Sequence, residues 1–134
     1  MPTRVGTSGY NYPEWKGHFY PATLSAAKML PYYAERFSTV EINYTFYRMP
    51  TEKLIAGWAA QAPEGFRYTL KAPKRISHDR RLANCADETT FFTTVAQQLG
   101  DKLATLLFQL PPTMKCDAAR LGDFLATLPK GLRT

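Results

Sequence analysis

Glu41 and Asn43 stand two residues apart in Val40-Glu41-Ile42-Asn43, so in an extended strand both side chains leave one face while Val40 and Ile42 leave the other. A carboxylate on an otherwise apolar strand can act as a general base or a metal ligand, and an amide beside it can orient what it acts on. The alternation recurs downstream. In Thr69-Leu70-Lys71 the ammonium can clamp a phosphate or carboxylate or, when desolvated, form a Schiff base, the clamp being the less demanding role. In Thr105-Leu106-Leu107-Phe108-Gln109 a second amide reaches the same position. His78 follows Lys71 in the next loop and is an acid–base group for pH near neutral. The structural alternatives are an internal ion pair between Glu41 and Lys71 and a solvated His78.

A basic run of Lys71, Lys74, Arg75, Arg80 and Arg81 surrounds His78, and Tyr10, Tyr12, Tyr44 and Tyr47 fall in neighbouring turn-like segments. Charge and aromatic faces together suit a small phosphorylated ligand. Nucleic acid is the less favoured partner because no nucleic-acid motif accompanies them, and a solvated loop beside packing tyrosines is the plain alternative. Gly6-Thr7-Ser8-Gly9 lacks the lysine and the spacing of a phosphate-cradling loop. No Ser-His-Asp order or H-E-x-x-H motif is visible, no metal site can be built from the two cysteines alone, and the cofactor is left open.

The elements that must position these residues read as four short apolar strands, over residues 4–8, 39–43, 66–71 and 103–109. They recur at intervals of roughly thirty residues, the length of a βα unit. Helical patterns follow each strand, over residues 26–37, 51–61, 87–99 and 117–128. In the third, Phe91, Phe92, Val95 and Leu99 form the expected apolar stripe; in the fourth, Leu121, Phe124, Leu125 and Leu128 do so. Strict alternation implies a parallel sheet with right-handed crossovers. The polar parity of three strands then predicts an α/β fold, a TIM-type (β/α) barrel of which this chain carries about four βα units, a half-barrel. Asn43, Lys71 and Gln109 would sit at the carboxyl ends where such barrels build their sites.

Composition is that of an ordinary globular domain, 45% hydrophobic and 21% charged over 134 residues, which excludes a disordered chain. A net charge of +6 favours anionic partners. Cys85 and Cys116 read as reduced thiols of a cytoplasmic protein. The N-terminus enters its first strand without the charged and apolar regions of a signal peptide, and the longest mostly apolar stretch, residues 103–108, is too short to span a bilayer.

Taken in order, Gly6-Thr7-Ser8-Gly9-Tyr10-Asn11-Tyr12, Phe19-Tyr20-Pro21, Val40-Glu41-Ile42-Asn43-Tyr44-Thr45-Phe46-Tyr47, Lys71-Ala72-Pro73, Ile76-Ser77-His78 and Leu107-Phe108-Gln109-Leu110-Pro111-Pro112 resemble the YecE-like family, domain of unknown function 72, over essentially the whole chain. The resemblance implies a TIM-like barrel of about twice this length, no established reaction, and Tyr10 where the family usually has tryptophan. It also implies that a fifth strand, with an acid-aromatic-Arg-His stretch, would begin where residues 133–134 end the chain. The expectation is one partial barrel domain over residues 1–134, truncated before the fifth strand and prone to self-association through its open edges. Its working reading is an enzyme-like barrel binding a small anionic metabolite, with Glu41, His78 and Lys71 as catalytic candidates and Asn43, Gln109, Tyr10, Tyr47 and Arg75 as ligand-binding ones. The alternative is a non-catalytic nucleic-acid or protein binder using the basic loop 71–81.

Overall fold

Four short strands, β1 (Gly6–Ser8), β2 (Thr39–Ile42), β3 (Arg67–Lys71) and β4 (Leu103–Leu107), form one parallel sheet in chain order. The structure is a computed structural model that describes residues 3–134, so Met1 and Pro2 of the leaderless start read from the sequence lie outside it. Each strand is shorter than its apolar run. β4 ends at Leu107 because Phe108 and Gln109 lead into Pro111 and Pro112, which cannot extend a ladder. β2 ends at Ile42 because Asn43 already has helical dihedrals and opens a single helical turn, α2 (Tyr44–Tyr47).

The first helical pattern resolves into a 3-10 turn at Ala26–Lys28 and a six-residue helix, α1 (Met29–Ala34). Pro31 is tolerated there because it falls in the first turn, where its missing N–H has no intrahelical acceptor. α3 (Glu52–Gln61) starts as the sequence predicts, with the Thr51 hydroxyl accepting the Leu54 N–H at 3.2 Å. α4 (Ala86–Gln97) follows the strained loop after β3, and α5 (Ala118–Ala126) is capped by Asp117, whose carboxylate accepts the Arg120 N–H at 3.0 Å.

The core lies between one face of the sheet and the helices. Val40, Ile42, Tyr68, Leu70 and Leu106 bury that face in a cluster with Leu30, Tyr33, Ile55, Trp58, Phe92 and Val95. Two expected helix faces are corrected. Phe91 is 51% exposed, because Phe92, Val95 and Leu99 already fill the buried stripe and its neighbour points about 100° away. In α5 only Phe124 is buried, while Leu121 and Leu125 remain exposed, so this helix touches the core along one line. Two long-range contacts fix the layers. The Tyr33 hydroxyl accepts the Thr7 N–H (2.8 Å) and donates to the Thr39 carbonyl (3.1 Å), tying α1 to β1 and β2. Lys102 donates to the Ala59 and Ala62 carbonyls, both at 2.6 Å, closing the carboxyl end of α3.

The opposite face carries Thr39, Glu41, Thr69, Lys71, Thr105 and Leu107, all only half-buried. Parallel sheets are ordinarily covered on both faces. Here the polar parity read from the sequence marks the open one. On the outer side of β4, the Arg133 carbonyl accepts the Leu106 N–H at 2.9 Å and the Thr105 hydroxyl at 3.0 Å.

Candidate functional site at the carboxyl ends of the strands

Ser8 pairs with Glu41 across β1 and β2, and the parallel register puts both on the open face. The Ser8 hydroxyl donates to Glu41 Oε1 at 3.0 Å, and the Asn43 amide donates to Ser8 Oγ at 2.7 Å. Amide, hydroxyl and carboxylate thus form a directed relay in which each bond polarises the next. The second carboxylate oxygen of Glu41 and Oδ1 of Asn43 keep no hydrogen-bond partner among the described residues. The ion pair with Lys71 that the sequence offered as a structural role for Glu41 does not form among the described residues.

Lys71 leaves the same face. Ile42 pairs with Leu70, so Asn43, the first residue beyond β2, and Lys71, the last of β3, each follow the same level of the ladder. The Lys71 ammonium lies 4.8 Å from the centroid of the Phe46 ring, and His78 meets the same ring edge-on at 5.0 Å. Phe46 is therefore the shared neighbour of Lys71 and His78. It is held by the buried Thr45, whose hydroxyl donates to the Lys71 carbonyl at 2.6 Å and so docks α2 on the end of β3. His78 lies on a wide π-type turn, Arg75–Asp79, a distortion frequent at functional sites. The buried Ser77 hydroxyl lies 2.9 Å from Nδ1, which fixes the ring and leaves Nε2 without a partner among the described residues.

The remaining sequence candidates separate. Gln109 lies beyond β4, exposed and two residues past Leu107, which pairs with Lys71, so it stands higher than Asn43 and Lys71 rather than in line with them. Tyr10 is packed rather than presented: burial pushes its hydroxyl pKa up, with a hydrogen bond to Trp58 pulling the other way. Tyr47 is 71% exposed, edge-on to Phe46. Arg75 donates to Glu88 at 2.9 Å, and Arg80 approaches the same carboxylate at 3.7 Å. The Arg75 hydrogen bond holds the Glu88 carboxyl below its usual range. Arg81 donates to Thr113 Oγ1 at 3.1 Å. Much of the basic run thus joins the loop to α4 and to the segment after β4.

That loop is strained. Arg81, Leu82 and Asn84 all have φ between +49° and +64°, a region costly for residues with a Cβ. Leu82, though left-handed, is buried, which anchors the loop. Ser8, Phe46 and Glu88 escaped the reading of the sequence. Ser8 could have been found by sliding β1 alongside β2, since its parity matches Glu41; the other two depend on tertiary contacts with no local signature. Among the described residues no group of three or more His, Cys, Asp or Glu side chains gathers as a metal site, and no helix is long and apolar enough to cross a membrane.

The chain matches the family model described as "Protein of unknown function DUF72" over residues 4–134. It is 30% identical over 126 residues to UPF0759 protein YecE of Escherichia coli K12, which covers 93% of this chain and 44% of that protein. It is 28% identical over 110 residues to UPF0759 protein YunF of Bacillus subtilis, covering 76% and 39% respectively. The chain therefore spans less than half the length of these relatives. A crystal structure of a DUF72 family protein from Thermotoga maritima superposes with a TM-score of 0.76 at 28% identity, over 92% of this chain and 50% of that one. One from Enterococcus faecalis gives 0.78 at 22% identity, over 96% and 48%, and speaks for the fold alone. With the family model matched across all four strands and the helices between them, the chain belongs to the DUF72, YecE-like family.

Proposed function

We propose that the carboxyl ends of β1 to β3 bind a small anionic, phosphorylated metabolite in the manner of an enzyme built on a (β/α) barrel, of which these four βα units form part. Lys71 is the anion clamp, Glu41 and His78 are the acid–base pair, and Asn43 and Gln109 orient the ligand, with Tyr10 and Tyr47 beside it. The observation that carries this reading is the relay from Asn43 through Ser8 to Glu41, on an open face beside an ammonium that no carboxylate neutralises among the described residues. A carboxylate oriented by a donor chain but left with an open oxygen is arranged to receive a proton or a ligand donor, not to hold the fold together. The free cysteines accord with a cytoplasmic setting.

The competing binder of nucleic acid or protein draws on the loop 71–81, but Arg75 and Arg80 share Glu88, which lowers what they can offer a phosphate backbone. Thermal-shift screening against phosphorylated metabolites and short oligonucleotides separates the two. A metabolite shift removed by Lys71→Met and reduced by Glu41→Gln, but kept when Arg75, Arg80 and Arg81 are replaced by Ala, supports the strand-end site. An oligonucleotide shift lost only in the triple arginine variant overturns it in favour of the binder.

A further inference from the structure

We infer that Glu88 is a positioning residue for His78: from the first turn of α4 its carboxylate gathers both ends of the turn that carries the histidine. The inference rests on the strand-end reading above for the role of His78, but not for its place. Arg75 opens that turn and Arg80 follows its last residue. Arg75 Nε lies 2.9 Å from Glu88 Oε1, and Arg80 Nη2 lies 3.7 Å from the same oxygen. The Arg80 N–H also donates to the Arg75 carbonyl at 2.9 Å, which closes the backbone inside the two side-chain contacts. His78 therefore sits in a loop fastened at its base to α4.

The helix is the fixed partner. Thr89, Phe92, Thr93, Val95 and Ala96 bury α4, and Glu88 immediately precedes the first of them. The turn is the part that can move. Buried Ile76 and Ser77 anchor its inner side, but the chain then runs through Arg81, Leu82 and Asn84, all at positive φ, a conformation that persists only where surrounding contacts enforce it. Arg75 and Arg80 are also like charges drawn together by the closed turn, and they repel unless an anion lies between them. Asp79, on the same turn, makes no ion pair among the described residues, and Arg81 turns to Thr113, so Glu88 is the carboxylate that meets this charge. The Arg75 hydrogen bond in turn holds the Glu88 carboxyl in its ionised form to a lower pH than usual.

Two contacts hold the His78 ring. The Ser77 hydroxyl, 2.9 Å from Nδ1, belongs to the same turn and travels with it. The Phe46 ring, edge-on at 5.0 Å, belongs to α2 and does not. Opening the base of the turn therefore leaves Ser77 beside His78 but changes its distance from Phe46. The distance from Lys71, whose ammonium lies 4.8 Å from the centroid of the same ring, changes with it. An acid–base group has to be held within about 0.5 Å of its productive place, so Glu88 acts on the site without touching a ligand. Anion binding by Lys71 does not depend on this clamp, because Lys71 reaches Phe46 from β3.

The test is proton NMR of the two imidazoles, His18 and His78, assigned with His78→Gln. Phe46→Leu gives the displacement that the Phe46 ring current imposes on the His78 ring protons. Glu88→Ala should lose most of that displacement, and Arg75→Ala should lose more of it than Arg80→Ala. Glu88→Gln should lose less than Glu88→Ala, because its amide oxygen still accepts from Arg75. The His18 signals should stay in place in all four. Lys102→Met, which weakens the fold at the carboxyl end of α3, should leave His78 unmoved, so lost stability alone does not produce the expected pattern. Unmoved His78 signals in Glu88→Ala, or equal movement in Lys102→Met, overturn the inference and leave the strand-end site to its own ligand test. Should Glu88→Ala not fold, Glu88→Gln and Arg75→Ala carry the same comparison. Displaced His78 signals in a protein that binds no anion uphold the placement by Glu88 and sink the strand-end reading instead.

Discussion

Gly6→Ala should damage the candidate site from two residues away, because β1 has no room for a side chain at that position. A Cβ built on Gly6 falls 2.1 Å from the Thr39 carbonyl oxygen, 2.8 Å from its carbon and 2.9 Å from Thr39 Cγ2. Carbon–oxygen contacts normally begin near 3.3 Å, so β1 must retreat by about 1 Å from β2. A shift of that size carries hydrogen bonds of 2.8 Å, such as Gly9 N–H to the Glu41 carbonyl and Thr7 N–H to the Tyr33 hydroxyl, past useful range. At about 1 kcal/mol net for each bond lost, with two to four at risk, the cost is about 2–4 kcal/mol. The upper end corresponds to release of this three-residue edge strand. Urea unfolding followed by circular dichroism measures the loss directly. Ser8 moves with β1, so the relay to Glu41 should open and any ligand shift that depends on Glu41 should shrink with it. A Gly6→Ala protein within about 0.5 kcal/mol of wild type, a typical surface-substitution effect, would refute the close approach of β1 to β2 on which the site geometry stands.

Three further outcomes follow from the same contacts. Lys102→Met should cost about 2 kcal/mol in urea unfolding, since two charge-assisted bonds to the Ala59 and Ala62 carbonyls are lost and the end of α3 is left open; an unchanged midpoint would show that water replaces the ammonium without cost. Glu88 has a folded pKa below its unfolded one, so its contribution is present above the ordinary carboxylate range and fades as pH falls through the lowered value. Glu88→Gln should therefore flatten the acid side of the stability profile below the ordinary glutamate pKa of about 4.3, and identical profiles for the two proteins would remove the Arg75–Glu88 pair from the account. The open polar face, the edges at β1 and β4 and the exposed Leu121 and Leu125 of α5 should make the chain self-associate, which light scattering over a concentration series reads as a rising apparent mass; a constant monomer mass would show that these surfaces are tolerated in water.

Strand parity was legible in the sequence because it depends on nothing but alternation: Val40, Ile42, Tyr68, Leu70 and Leu106 are buried, and Glu41, Thr69, Lys71 and Thr105 share the other face. The parallel order was legible for the same reason, being carried by the local alternation of strand and helix, and so was the start of α3 beside Thr51. What escaped is what depends on partners distant in sequence. Asn43 reads as the last residue of a strand, yet α2 begins there because the Thr45 hydroxyl finds the Lys71 carbonyl, a contact 26 residues away in the chain. Arg75 reads as a ligand-seeking cation until Glu88 is placed against it by the fold of the loop into α4. Phe91 and Leu121 satisfy a helical stripe but find no core opposite, because a single sheet face offers each helix only a narrow line of contact. Local pattern therefore marks which face of the sheet is polar, and tertiary contact decides which of the nearby charges are paired: Lys71 keeps its ammonium over Phe46, while Arg75 and Arg80 have already given theirs to Glu88.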